Sequence, residues 1–545
     1  MQIIQMILKI RTTALIALLC IPSFSVAASE PFDVVIKSGR VMDPETGFDQ
    51  VADVGIRGGR IVAIASSLSG GREVIDASGH VVAPGFIDPH YHWVRALGYK
   101  LALRDGVTTP MDLEFGALGT KVDDWYAMHE GRSQVNYGTG SSHELARIAV
   151  LDGIEAMDAP HGLAIGARKG TRWAFDVPNT EEAAAVLGVI DEGLRLGAIS
   201  VSSTLGYMPG ATAREVYAVQ SVGAAYDRAT TVHTRNTPGT ETSEPNGAQE
   251  ILANAMTLGA PACINHFNNP GWQVVQDLLV NGREQDQRVW GEYYPYAAGS
   301  TTLNAQFLRP EIWLEKLGYR YEDTLLDPST GTFYTSERYQ QEVATSPMKL
   351  VVVYKMPASE IVNWLRMPGV VMGSDAMPLP GAGFNEPSWD TPFEQLPNLH
   401  PRTAGAHAKT LRLARENNIS LMHVLAALSY NSAKYLGETG LVAMQERGRI
   451  QVGSVADITI FDPLTVTDHA TYEAGTRPST GIPFVLVNGQ IVVRDSVVQQ
   501  DVSPGQPIRF AVEAASRLGP LDQQSWQAAK LIPANGYLPD LDHAH

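Results

Sequence analysis

From residue 33 onward, short apolar runs alternate with glycine turns. Asp33-Val-Val-Ile-Lys-Ser-Gly-Arg-Val-Met, Ala52-Asp-Val-Gly-Ile-Arg-Gly-Gly-Arg-Ile-Val-Ala-Ile and His80-Val-Val-Ala read as β-strands. Ser38-Gly39 and Gly58-Gly59 between them supply hairpin turns. The same texture returns near the other end in Ala456-Asp-Ile-Thr-Ile-Phe and Phe484-Val-Leu-Val-Asn-Gly-Gln-Ile-Val-Val, where Asn488-Gly489 is a strong turn dipeptide. The two segments are expected to form one β-sandwich. Between them the period changes. A helical run opening at Thr180 stops near Gly197 and leads into Ala198-Ile-Ser-Val-Ser, and a run from Thr212 leads into Thr230-Thr-Val-His233. Runs from Gln249 and Ser359 lead into Ala262-Cys-Ile-Asn-His266 and Val370-Val-Met-Gly-Ser-Asp375. Helix followed by strand, repeated, is the signature of βα units, and their number within about 350 residues predicts an α/β fold of the (β/α)8 (TIM) barrel kind rather than an open sheet. The stretch 303–356, rich in Tyr, Pro and charge, breaks the rhythm and is expected to be a small inserted subdomain. The predicted organisation is a signal peptide over 1–28, a β-sandwich from 29–82 and 435–545, and the barrel over 83–434.

Charge and cysteine content narrow the setting. With 41 Lys+Arg against 58 Asp+Glu the net charge is −17, so electrostatic binding to nucleic acid or to an anionic membrane is not expected. Lys9 and Arg11 precede the apolar run from Ala14 to Ile21, and Ser25-Val-Ala-Ala28 offers small residues for cleavage. This pattern predicts a secretory leader and a periplasmic or secreted product, with no membrane attachment after cleavage. Cleavage would remove Cys20 and leave Cys263 alone, so no disulfide is expected. Cys263 lies inside an apolar run with no base local to it, which points to packing rather than nucleophilic chemistry.

Candidate chemistry gathers at strand ends. His90-Tyr91-His92 directly follows the apolar strand that ends at Asp88, and alternation along an extended chain points two histidines separated by one residue the same way, as two ligands of one metal must. His233, His266 and Asp375 each follow another predicted strand, at the rim where barrel enzymes hold their catalytic groups.

Pro84-Gly-Phe-Ile-Asp-Pro-His90-Tyr-His92, with His233, His266, Gly373-Ser-Asp375 and Gly448-Arg-Ile-Gln-Val-Gly-Ser-Val-Ala-Asp457, resembles the signature of the amidohydrolase superfamily of metal-dependent hydrolases. Within it the chain most resembles the D-aminoacylase (N-acyl-D-amino-acid deacylase) group, through Gly206-Tyr-Met-Pro-Gly-Ala, His233-Thr-Arg235, Tyr294-Pro-Tyr-Ala-Ala-Gly-Ser-Thr-Thr and His400-Pro-Arg402. The resemblance implies one or two divalent ions, zinc being expected. It places His90 and His92 on the more buried ion, His233 and His266 on the second, and Asp375 on metal or its water as general base. It also implies a small N-acylated substrate.

Two departures from the family pattern matter. The carboxylated lysine or the cysteine expected near Gly106-Val-Thr-Thr is missing; Glu114 falls closest to that cysteine and is expected to bridge the metals. Asp112, two residues earlier and so on the same face of a regular strand, is the alternative. Relatives also carry a lysine two residues after the histidine at 266, thought to grip the substrate carboxylate, and here that position is Asn268. Tyr294, Ser300 and Arg402 match other members of the carboxylate-binding set, and Arg235 is expected to point into the same cavity. The run from Asp375 to Arg402, including Pro378-Leu-Pro-Gly-Ala-Gly-Phe, looks longer than in relatives. The expected activity is hydrolysis of N-acyl amino acids. A cyclic-amide or dipeptide hydrolase on the same scaffold is the nearest alternative, and a catalytically inactive periplasmic binding protein is the alternative of another class.

Overall fold

The computed structural model describes residues 31–164, 172–236, 245–379, 386–521 and Trp526. The expected leader, and residues 380–385 of the extended run before Arg402, lie outside the described residues. Eight parallel strands form the central sheet in strict chain order: β1 (Phe86–Asp88), β2 (Val107–Ala117), β3 (Gly138–Ser142), β4 (Val201–Ser203), β5 (Thr230–Val232), β6 (Ala262–Ile264), β7 (Val289–Tyr293) and β8 (Val371–Met372). Beyond the strand ends the first and last are joined by a parallel bridge between Tyr91 and Ala376. The Asp88 carboxylate strengthens this seam by accepting from the backbone N–H of both His90 and Ser374, at 3.1 and 3.0 Å. The (β/α)8 barrel is the fold that the helix–strand rhythm predicts.

The strands are wholly buried on both faces, so they carry apolar and small polar residues without a solvent-facing alternation. Ile87, Met111, Cys263, Trp290 and Val371 fill the barrel interior with Tyr435 and Met444 from the helices beyond it. Cys263 is a free, buried thiol in this core. Burial pushes its pKa well above the ordinary value, so it stays a packed thiol.

The strands of the terminal segments, from Phe32 to Pro84 and from Ile458 to Val498, hydrogen-bond as one nine-stranded sheet. Its organiser is the bulged strand Phe32–Asp43, which pairs antiparallel with Phe48–Arg57 and parallel with both Gly71–Asp76 and Val81–Pro84. Val54, Ile56, Ile458 and Leu486 share its separate core. Three expected boundaries move. The helix Asn431–Glu438 runs across position 435 and buries Ala433, Tyr435 and Leu436 in the barrel core. Residues 505–510 return to the barrel, where Ile508 donates to the Tyr137 carbonyl at 2.7 Å and packs with Met111. The insertion begins with Ala298–Thr302, earlier than position 303, because that strand pairs antiparallel with Leu350–Tyr354 to make the heart of a four-stranded sheet. Apolar runs alone do not say which of two adjoining cores a segment will join. Among the described residues no helix is long and apolar enough to cross a membrane.

Candidate active site

Four histidines and two carboxylates meet at the carboxyl ends of the barrel strands. His90 and His92 stay in extended conformation past β1, so both rings turn the same way and their Nε2 atoms lie 3.1 Å apart. Each ring is oriented by a carboxylate behind it. His90 Nδ1 donates to Glu292 on β7, and His92 Nδ1 donates to Asp112 at 3.0 Å. Since a carboxylate only accepts, both Nδ1 atoms carry the proton and both Nε2 atoms present lone pairs. The oxygens facing those lone pairs are also acceptors: Glu114 Oε2 lies 3.2 Å from each Nε2, and Asp375 Oδ1 lies 3.4 Å from each.

The other oxygen of Glu114, Oε1, faces a second pair, 2.9 Å from His233 Nδ1 and 3.1 Å from His266 Nε2. The two groups His90–His92–Glu114–Asp375 and Glu114–His233–His266 each bring their ligand atoms within 4.8 Å of one another. Ligands held about 2.0–2.1 Å from a tetrahedral ion sit about 3.3–3.4 Å apart. The spacing and the nitrogen–oxygen donor set therefore fit divalent cations, with Glu114 reaching both centres. The electrostatics agree. Burial opposes charge on His90, yet Glu292, Glu114 and Asp375 outweigh it and raise its affinity for a proton well above the usual imidazole value; the same carboxylates would favour a metal cation in place of that proton at Nε2. Burial and the neighbouring His266 pull His233 down to about 4, leaving a neutral imidazole suited to coordination.

Local sequence explains how these rings fit. A Cβ on Gly206 would lie 2.6 Å from Cδ2 of His233, and one on Gly373 would lie 2.8 Å from Glu292 Oε2 and 3.0 Å from Cβ of His90. The glycines in both motifs therefore clear space for the histidines. Asp375 sits in the left-handed region at φ 56° and His266 at φ 28°, local strain of the kind that recurs at active sites.

Asp112 does not share a face with Glu114 in the way a regular strand would require. Pairing of β2 with β3 breaks after Asp112, and its Oδ1 folds back to accept from the N–H groups of Phe115 and Gly116, both at 3.1 Å. It orients His92, while Glu114 alone of the two joins the metal-ligand clusters. Glu292 escaped the sequence reading although a lone carboxylate in Val-Trp-Gly-Glu-Tyr was a visible signal. Trp290 and Glu292 share the inward face of β7; the first packs the barrel core and the second meets His90 and Asn265. Glu292→Gln is expected to keep the fold but weaken metal binding by roughly 10–100-fold, since outer partners set ligand basicity. Competition titration with a chromogenic chelator measures this, and unchanged affinity would remove Glu292 from the site.

The expected substrate contacts divide. Tyr294, Ser300 and Arg402 line the cavity above the clusters, with His233, Asp375, Phe307 and Lys355. Arg402 is buried, stacked 5.1 Å over the Tyr294 ring, with Nη1 2.9 Å from Asp375 Oδ2. That ion-pair contact is not aligned as a hydrogen bond, and among the described residues none of its guanidinium nitrogens has a hydrogen-bond partner. Arg235 is a correction. Its Nε and Nη2 form a bidentate pair with Glu250 at 3.0 and 2.6 Å and Nη1 donates to the Ala211 carbonyl, so the guanidinium is occupied outside the cavity lining. Asn268 is a second correction. It is fully buried, its amide donates to the Tyr294 carbonyl at 3.2 Å, and it does not line the cavity.

No protein-family model matches the chain. It is 28% identical over 490 residues to an N-acyl-D-glutamate deacylase of Alcaligenes xylosoxydans xylosoxydans, covering 84% of this chain and 93% of that protein. It is also 28% identical over 494 residues to a D-aminoacylase of the same organism, covering 85% and 94%. Among solved structures, the N-acyl-D-glutamate deacylase of Bordetella bronchiseptica, complexed with zinc and a phosphonate mimic of the tetrahedral intermediate, superposes with a TM-score of 0.69 at 24% identity, over 88% of this chain and 100% of that one. The structural likeness establishes the fold. The sequence likeness extends the resemblance read from short motifs to nearly the whole chain.

Proposed function

We propose that this chain, similar along its length to the D-aminoacylases and N-acyl-D-amino-acid deacylases of the amidohydrolase superfamily, hydrolyses the amide bond of small N-acyl amino acids with zinc in its paired sites. The observation that carries the reading is the split carboxylate of Glu114, with one oxygen on the His90–His92–Asp375 group and the other on His233–His266. A bound zinc ion supplies Lewis acidity, lowering the pKa of water from 15.7 to about 7 and polarising a scissile carbonyl.

The chain's own groups account for the rest. Arg402 and His90 outweigh burial and hold Asp375 well below the usual carboxylate range, so it is ionised; a carboxylate this weakly basic can take the proton of the attacking water only because bound zinc would acidify that water. That water oxygen bonds to the acyl carbon, the C–N bond breaks, and Asp375 returns the proton to the departing nitrogen, so one carboxylate serves as base and then acid. Tyr294, Ser300 and Phe307 shape the wall against which an acylated amine rests.

Hydrolysis by chelated and zinc-reloaded protein tests the reading directly. Activity on N-acetyl-D-amino acids that vanishes on chelation and returns with zinc is expected. Turnover confined to hydantoins or dipeptides would move the chain to another reaction of the same scaffold, and absence of bound metal would revive the binding-protein alternative. The reading includes export, supported by Lys9, Arg11 and the apolar run before Ala28; protein retained in the cytoplasm with its amino terminus uncleaved, read by fractionation and mass spectrometry, would overturn it.

A further inference from the structure

The cavity above the metal-ligand clusters has two cationic side chains in its lining, Arg402 and Lys355. They differ in ion pairing. Arg402 is 1% exposed, pressed between the Tyr294 ring and the Asp375 carboxylate. Lys355 is only partly buried, and among the described residues no carboxylate lies within ion-pairing distance of it. Its single aromatic neighbour of note is Phe307, whose ring centroid is 5.4 Å from Nζ. A lysine that has given up part of its hydration without gaining an anion is unusual, because such charge is normally paired.

Its position is built by the inserted sheet rather than by the barrel. Lys355 directly follows the strand Leu350–Tyr354, and Val353, two residues earlier and also in the lining, pairs with Gly299. A Cβ on Gly299 would meet Tyr294 Oη at 3.2 Å and Arg402 Nη1 at 3.8 Å. The missing side chain brings the sheet carrying Lys355 against the wall carrying Arg402. Asn268 is folded away under Tyr294 and offers the cavity no charge.

We propose that Lys355, delivered into the cavity by the insertion, is the group that captures a substrate carboxylate. This rests on the acyl amino acid reading and deepens it: the insertion is a specificity wall, and the substrate presents an anion to it. The lowered affinity of Lys355 for its proton, brought to about 8 by burial and by the nearby Arg402 despite Asp375, agrees with a cation awaiting a counter-charge.

The test separates capture from hydrolysis by measuring binding in zinc-loaded Asp375→Asn protein, with and without Lys355→Met or Lys355→Arg. The probes are N-acetyl-D-leucine, N-acetyl-D-glutamate and the neutral N-acetyl-D-leucinamide, followed by calorimetry. Lys355→Met is expected to weaken the carboxylate ligands by about 10–100-fold, the size of a charge-assisted contact, and to leave the amide unchanged, while Lys355→Arg retains most of the binding. Loss with both acids assigns Lys355 to the α-carboxylate, and loss with N-acetyl-D-glutamate alone assigns it to a side-chain carboxylate. Equal loss for the neutral amide, or no loss for any ligand, would overturn the proposal. Charge-selective binding in the variant background, together with no hydrolysis of either acid by the zinc-loaded unsubstituted chain, would leave Lys355 as the carboxylate group and refute deacylation instead.

Discussion

Asp375→Asn is expected to lower kcat by roughly 10²–10⁴-fold, the usual contribution of a general acid–base group, while leaving the metal content unchanged. The substitution suits the site for two physical reasons. Asparagine tolerates the left-handed backbone that Asp375 adopts at φ 56°, so the chain path is preserved. Its amide oxygen can still take the place of Oδ1, which lies 3.4 Å from Nε2 of both His90 and His92. What the amide cannot do is accept a proton from water and pass it to a leaving nitrogen. The loss should therefore fall on kcat rather than on metal stoichiometry, and steady-state kinetics with elemental analysis reads both. Near-wild-type turnover would assign proton transfer elsewhere. Arg402 bears on the outcome, because its Nη1 stands 2.9 Å from Asp375 Oδ2 and would face a neutral amide in the variant. Some loss of Arg402 placement is thus expected, seen as a modest rise in KM beside the large fall in kcat.

Glu114→Ala is expected to be as damaging by a different route. One carboxylate serves both ligand clusters, so its removal should weaken metal binding at both, by at least ~100-fold, given that losing only an outer partner of a metal ligand commonly costs 10–100-fold. Activity should fall with occupancy. Asp112→Ala makes the comparison informative, because among the described residues the Asp112 carboxylate hydrogen-bonds only His92 and the backbone N–H groups of Phe115 and Gly116. It should weaken the His90–His92 site by the smaller factor, leave the His233–His266 site occupied, and cost stability by unpairing two buried N–H groups. Metal stoichiometry under increasing chelator separates the two patterns. Equal loss of both metals in the two variants would refute the bridging assignment.

The paired histidines and the strand-end positions were legible in the sequence because they depend on local rules. Alternation in an extended chain aims His90 and His92 together, and βα periodicity places His233, His266 and Asp375 just past successive strands. The barrel followed from the same rhythm, as did the separation of a terminal β-sheet built from both ends of the chain. Glycines at 206 and 373 were visible as motif letters, but their purpose, clearing room for His233, His90 and Glu292, required the packed structure.

Tertiary structure alone decided questions that turn on which partner a side chain finds. Arg235 and Lys355 are both cations near strand ends in the sequence. Glu250, on the helix Gly247–Leu258, occupies the first, while no described carboxylate pairs with the second, so only Lys355 faces the cavity with charge to spare. Asp112 and Glu114 look equivalent at two-residue spacing until the break in β2 pairing turns one toward the backbone and His92 and leaves the other among four histidines. Glu292 lies far from His90 in the chain, and its task exists only because β7 curves round to face β1. The reason is common to all three. Backbone periodicity is set by neighbours within a few residues, whereas ion pairs, bulges and clusters of ligand groups are settled by contacts between segments distant in the chain.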